Sequence, residues 1–357
     1  MNTGGAETFL MKVYRRMDKS QYQMDFCVNV EAEGFYEKEI REMGGRIFRI
    51  PPKSKDIKAF KKGLYEIVKN EGYEYVLRIT SNAAGFMDLR IARAAGARVT
   101  VARSSNSSDG ENFKAKLINL ISRVIYMGKV DVKIAPSDLA AEYTFGKRQV
   151  RNGDVKFLHN AVDIDVVKYD GGDRANIRRE LGIEDKLVVG HVGRFNRQKN
   201  HMLLLDIFGE IKKRNGNAVL VLVGKGELES DIRAKITDMG LTDSVIFTGV
   251  RSDVPALMSA MDVFVFPSFY EGMPNTVIEA QATGLPCVIA DTITREADIT
   301  GLVKYLSLSD TAERWSEEAV SLVSSQRADT RQAFIDNKYD IDSTVKYFTE
   351  LVFEADK

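Results

Sequence analysis

The sequence predicts a doubly wound α/β protein of two domains, and three observations carry that expectation. Short apolar runs recur along the chain, segments with apolar residues at helical spacing separate them, and a polar stretch with two glycines, YDGGDR (169–174), divides the series. In the first half the strand-like runs are MDFCVNV (24–30), GRIFRI (45–50), YEYVLRI (73–79), ARVTVA (97–102), DVKIAP (131–136) and VKFLHN (155–160). In the second half they are LVVGHVG (187–193), AVLVLVG (218–224), SVIFTG (244–249), DVFVFP (262–267) and PCVIA (286–290), with helical patterns such as 199–214 and 227–239 between. Such βαβ alternation builds a parallel sheet covered on both faces, whose strands read as near-continuous apolar runs. Domains are expected over 1–165 and 166–335, with a final helix in 336–357 packing back on the first. Ligands of such sheets bind beyond the carboxyl ends of the strands, here in a cleft between domains.

Composition narrows the function. With 357 residues, 44% hydrophobic and 29% charged, the chain has the make-up of a soluble globular protein. Basic and acidic residues number 51 each, which leaves no net field to attract nucleic acid. No apolar run approaches the roughly 18 residues of a membrane span, and no signal-peptide pattern opens the chain, so a cytoplasmic protein is expected. Cys27 and Cys287 both lie in apolar runs and suggest neither a disulfide framework nor a thiolate metal site. The basic, partly apolar run KSKDIKAFKKGLY (53–65) is expected either as a solvated helix face or as a peripheral membrane contact.

The most informative stretch is FVFPSFYEGMPNTVIEAQATG (264–284). A buried strand ends at Pro267 and Ser268, a loop follows, and Pro274 suits the first turn of a helix that Gly284 and Pro286 stop near Thr283. A helix N-terminus after a strand is an anion site, because its free N–H groups and positive dipole end face the ligand. Glu271 in the loop and Glu279 in the helix cannot be phosphate ligands; they are placed to accept hydrogen bonds from hydroxyls, which points to a sugar. The plainer alternative is a capped strand–loop–helix with two solvated glutamates. In HVGRFNRQKN (191–200), Gly193 is expected to let the backbone turn tightly, and Arg194 and Lys199 put two cations at a strand's carboxyl end.

The E-x7-E spacing, with Glu-Gly-x-Pro after its first glutamate, resembles the donor-site signature of the retaining glycosyltransferases of family 4, which have the GT-B fold. The resemblance covers nearly the whole chain. RSSNS (103–107), TFGK (144–147), GVRSDVP (249–255) and EAQATGLP (279–286) bring it near the bacterial capsular and exopolysaccharide enzymes. It implies a hexosyltransferase that moves a sugar from a nucleotide-sugar donor to a surface-polysaccharide or lipid-linked glycan acceptor, at the inner face of the plasma membrane. By resemblance, Arg194 and Lys199 hold the donor pyrophosphate, Glu271 the hydroxyls of the transferred sugar and Glu279 the ribose. Gly193, Gly272, Asn275 and Thr276 belong to the same donor site, and Gly224, Val250 and Arg251 lie near the base. At the other edge, Gly4 and Gly5 of NTGGAE (2–7) expose amides toward the donor phosphate or acceptor, with Arg103 beside them and Glu7 opening a helix. Asn160 is structural. No cofactor and no metal is implied, since cationic side chains replace the ion. Asp163-Ile-Asp165 and Asp340-Ile-Asp342 match a D-x-D metal pattern too short to be specific.

Two departures stand out. Leu77, Ile79 and Arg103 occupy positions where relatives often carry histidine, and His159, His191 and His201 are expected to be satisfied structural residues. Relatives also carry a strand ahead of the glycine-rich loop, so the N-terminal domain is expected to lack its first strand, and an upstream start is favoured over a weakened, inactive half. The rival functions are a nucleotide-sugar epimerase on the same fold and a donor-binding or scaffolding subunit without turnover.

Overall fold

The computed structural model describes residues 5–105, 113–271, 273–324 and 326–354. The chain forms two compact units, Met1–Ala161 with Lys338–Lys357, and Val162–Asn337. The stretch YDGGDR lies inside the second unit and opens a helix, Gly171–Leu181, whose first turn Asp170 caps by accepting from the Asp173 amide at 2.8 Å.

The first unit holds strands β1 (Phe26–Val28), β2 (Ile47–Arg49), β3 (Tyr75–Thr80), β4 (Val99–Ser104), β5 (Val132–Ala135) and β6 (Val155–Phe157). All pairings are parallel, but they form two sheets: β1 with β2, and β3-β4-β5-β6. Among the described residues no strand pairs with the free side of β1 or of β3. The helix Gly5–Arg16 lays Phe9, Met11, Val13 and Tyr14 into a core shared with Phe26, Val99 and Val101. The helix Ile341–Phe353 joins that core through Ile341, Val345, Phe348 and Val352, with the Phe9 and Phe348 rings edge to face at 6.4 Å.

The run 53–65 takes the first of its two expected forms, a helix with a solvated basic face. Its helix, Ile57–Glu71, buries Phe60, Leu64 and Val68, and Lys53 pairs with Asp88 while its ammonium lies over Phe60. The apolar side that a membrane would need is occupied by protein.

The second unit is one parallel sheet of β7 (Leu187–Val192), β8 (Ala218–Val223), β9 (Val245–Gly249), β10 (Val263–Phe266), β11 (Cys287–Ala290) and β12 (Val303–Leu306), in the order β12-β11-β10-β7-β8-β9. A single apolar core runs through it, with every residue of β8, β10 and β11 buried. Gly190 in β7 leaves room for Met261, since an added Cβ would lie 2.0 Å from its sulfur. The chain builds outward from β7 to β9, then crosses to β10 and builds the other way. β7 and β10 are therefore the adjacent pair where strand order reverses, and the carboxyl ends of such a pair are where sheets of this kind bind ligands.

Candidate active site

The loop after β7 and the loop after β10 are sewn together. Asn196 accepts from the Lys199 amide at 3.2 Å and so caps the short 3₁₀ turn Arg197–Lys199. The Phe269 amide donates to the Gln198 carbonyl at 2.9 Å, and the Gln198 side chain donates to the Tyr270 carbonyl at 2.9 Å. These bonds bring Lys199 Nζ to 2.7 Å from Glu271 Oε1, with the two side chains only 15% and 10% exposed. The ammonium also lies 4.5 Å from the centre of the Phe266 ring, at the end of β10.

The glycines act by space as much as by conformation. The chain bends at Gly193 without a positive φ. Its missing side chain matters instead: a Cβ there would meet Lys199 Cε at 3.2 Å and His191 Nε2 at 3.3 Å. Gly224 supplies the turn, with φ +135°, and a Cβ there would come within 2.1 Å of the Gly193 carbonyl oxygen. The end of β8 can approach the Gly193 carbonyl this closely only because residue 224 is glycine.

Behind Lys199 lie two buried histidines, with ring centres 4.8 Å apart. His191 Nδ1 is 2.9 Å from the Val265 carbonyl, which can only accept, so Nδ1 carries the proton. Its Nε2 and both nitrogens of His201 have no hydrogen-bond partner among the described residues. These two rings are thus buried but not satisfied, in contrast to the expectation. Burial drives both far below the ordinary imidazole range, His201 to about 4, and the Lys199 charge adds to the effect. Both are neutral at neutral pH. His159, in the other unit, is satisfied: it bonds the Pro136 carbonyl at 3.2 Å and stacks on Tyr339.

The remaining site residues are distributed unevenly. Arg194 extends from the same loop, 70% exposed, and meets Glu227 at 3.1 Å. The helix Asn275–Ala282 starts just after Pro274, and Gly284 takes φ +64° beyond its end. It buries Val277, Ile278 and Gln281 and turns Asn275, Thr276 and Glu279 outward. Val250 is well exposed after β9, whereas the Arg251 guanidinium is engaged by Glu180 and Asp253, each at 2.6 Å. Gly4 and Gly272 lie outside the described residues. Gly5 is the first residue of a helix rather than part of a loop. Arg103 ends β4 at 2% exposure, its guanidinium 3.6 Å from the Phe9 ring centre and donating to Asn160 at 2.7 Å. Burial lowers its pKa to about 9, so it stays cationic at neutral pH, and here it is an interior tie that holds Asn160. Of the D-x-D aspartates, Asp165 pairs with Arg331 and Asp340 caps a helix through the Ser343 amide. Sequence reasoning did not anticipate Phe266 beneath the ammonium or the Gln198 stitch; neither residue type carries a signal for those roles.

Residues 3–166 match the family model "Glycosyltransferase Family 4", and residues 173–340 match "Glycosyl transferases group 1". EpsF of Bacillus subtilis (strain 168), assigned to the glycosyltransferases, is 37% identical over 89% of this chain and 84% of its own. The UDP-Gal:alpha-D-GlcNAc-diphosphoundecaprenol alpha-1,3-galactosyltransferase of Escherichia coli is 30% identical over 69% of this chain and 66% of its own. Among solved structures, Anabaena Alr3699/HepE in complex with UDP and glucose superimposes with a TM-score of 0.77 at 19% identity, covering 97% of this chain and 95% of that one. At that identity the likeness speaks for the fold alone, which is GT-B with two Rossmann-like domains.

Proposed function

Because this chain belongs to the glycosyltransferases of family 4, we propose that it moves a hexosyl unit, with retention of configuration, from a nucleotide-sugar to a surface-polysaccharide or lipid-linked glycan acceptor. The observation that carries the reading is the Lys199–Glu271 pair at the point where strand order reverses. A carboxylate that accepts sugar hydroxyls and a donor pyrophosphate would repel each other if they were simply neighbours. An ammonium between them removes the conflict: it has three N–H donors, and one bond to Glu271 leaves two for phosphate oxygens. Arg194, exposed on the same loop, adds a second cation, and Glu279, on the helix that follows, is assigned to the ribose hydroxyls.

The chemistry follows from that charge pattern. As the bond from the anomeric carbon to the phosphate oxygen breaks, the nucleoside diphosphate gains negative charge, and preorganised cations stabilise it. The acceptor oxygen bonds to the anomeric carbon on the face the phosphate leaves, and its proton passes to a phosphate oxygen. Removing one such cation is expected to cost roughly 2.7–4 kcal/mol of transition-state stabilisation. The reaction needs no metal in this reading, and the protein works on the cytoplasmic side in contact with the membrane that carries the acceptor.

UDP is the nucleotide to test first, because the Escherichia coli relative uses a UDP-sugar and HepE was crystallised with UDP. Arg194→Ala and Glu279→Ala should each weaken UDP binding by roughly tenfold or more in calorimetry and leave the melting temperature unchanged. Excess chelator should leave transfer intact, and NMR of the product should show the donor's anomeric configuration. Unchanged affinity in both variants, for UDP and for the other nucleoside diphosphates, would remove the donor-site assignment.

A further inference from the structure

The helix Phe113–Tyr126 of the first unit is built inside out. Its polar residues Asn119 and Ser122 are buried, at 2% and 7% exposure. Asn119 accepts from the Ala83 amide and donates to the Tyr143 carbonyl, both at 2.9 Å. Its aliphatic residues face outward: Leu117, Ile118, Leu120, Ile121, Val124 and Ile125 are 47% to 81% exposed. At 100° per residue these six cover one continuous side of the helix. A helix on a water-facing surface shows the opposite pattern, and a contiguous apolar patch of this kind marks an interaction site.

We infer that this face docks the protein on an anionic membrane surface. Charge selects the occupant. From 113 to 130 the chain carries Lys114, Lys116, Arg123 and Lys129 and no Asp or Glu. Of the acids beyond the helix, Asp131 is engaged by Arg93 and Glu142 by Lys147, and Arg90 from the helix Phe86–Ala94 adds a cation over the Tyr126 ring. A second copy meeting this face would set the exposed Lys114 and Lys116 against cations of the same sign, whereas anionic headgroups neutralise them. The helix has 14 residues, short of the roughly 20 of a span, and among the described residues no helix is long and apolar enough to cross a membrane. It therefore lies flat, with aliphatic side chains in the acyl boundary and lysines at headgroup level. The inference deepens the proposed function, on which it rests only for the acceptor's lipid anchor. The surface itself can be tested without substrate.

The full chain is sedimented with vesicles of phosphatidylcholine, alone or mixed with phosphatidylglycerol. Binding to the mixed vesicles should be at least roughly tenfold tighter and should weaken with salt. Ile121→Glu combined with Val124→Glu should lower partitioning by a similar factor without moving the melting temperature or UDP affinity. Lys114→Glu combined with Lys116→Glu should abolish the preference for the anionic lipid, which keeps the idea exposed to refutation if the first variant fails to fold. Equal binding of the wild type to both vesicles, no binding, or insensitivity to both variants would overturn the inference. So would a wild-type dimer that the aliphatic variant splits while vesicle binding is absent. If UDP binding fails but vesicle binding behaves as expected, the donor reading falls and the membrane surface stands.

Discussion

Lys199 touches everything that matters in the second unit's site: it pairs with Glu271, rests on Phe266 and backs onto the His191–His201 pair. The histidines make the site acid-sensitive. Below about pH 6.5 an imidazole of the unfolded chain takes up a proton, while His201 in the folded chain does so only near pH 4. Across that window the unfolded state binds more protons, so stability falls as pH drops from 6.5 toward 4, and above 6.5 this residue adds no pH dependence. The full loss assigned to His201 is about 3 kcal/mol, and His191, which burial also lowers, adds to it. Chemical denaturation at several pH values between 7 and 4 should show this fall, and His201→Phe should flatten it. An equally steep fall in the variant would place the acid sensitivity elsewhere. The cation, the carboxylate and their loops were legible in the sequence, because glycine, charge and strand-end position coincide there. The unsatisfied ring nitrogens were not, since a motif states which residues are adjacent along the chain and says nothing of what their side chains fail to meet.

At the scale of elements, the split in the first unit's pairing has a measurable result. Among the described residues β1 and β3 each have a partner on one side only, and their unit's core is divided among separate clusters. β7 and β10 are paired on both sides within one core. Amides of β1 and β3 should therefore exchange faster than those of β7 and β10 in hydrogen-exchange mass spectrometry. Equal protection would mean that the free sides of β1 and β3 are closed in solution by something else. The expected run 24–30 yields only the three residues Phe26–Val28 as paired strand, because pairing, unlike apolar character, needs a partner strand, and β2 meets only these three. β12 was absent from the sequence reading: Val303–Leu306 is a short edge strand with a lysine in it, too brief for either period to show. The helix Phe113–Tyr126 marks another limit. Periodicity identifies a stripe along a helix, but not whether it faces the protein.

For the molecule as a whole, the first unit is discontinuous in sequence. Ile341, Val345, Phe348 and Val352 return to it after the second unit is complete. Four buried aliphatic or aromatic side chains contribute about 6–12 kcal/mol at about 1.5–3 kcal/mol each, as much as a domain's entire net stability. A chain ending at Asn337 should keep a cooperatively melting second unit with its UDP affinity, while the first unit becomes protease-sensitive and transfer is lost. A first unit that stays protected after this truncation would show the final helix to be dispensable. The sequence reading put the domain limits at 165/166 and 335/336, and the units divide at 161/162 and 337/338. The alternation of strand and helix makes such limits readable to within a few residues, whereas the polar run that seemed to mark the joint is a capped helix start.

The same discontinuity sets an order of events during synthesis. Counted from the N-terminus, residues 162–337 are all present before 341–353 are added, so the second unit has its full set of residues while the first still lacks part of its own. The first unit must wait, with Phe9, Met11 and Val99 lacking the contacts of Phe348 and its neighbours until residues 341–353 follow. During that interval it is the part of the nascent protein most in need of a chaperone.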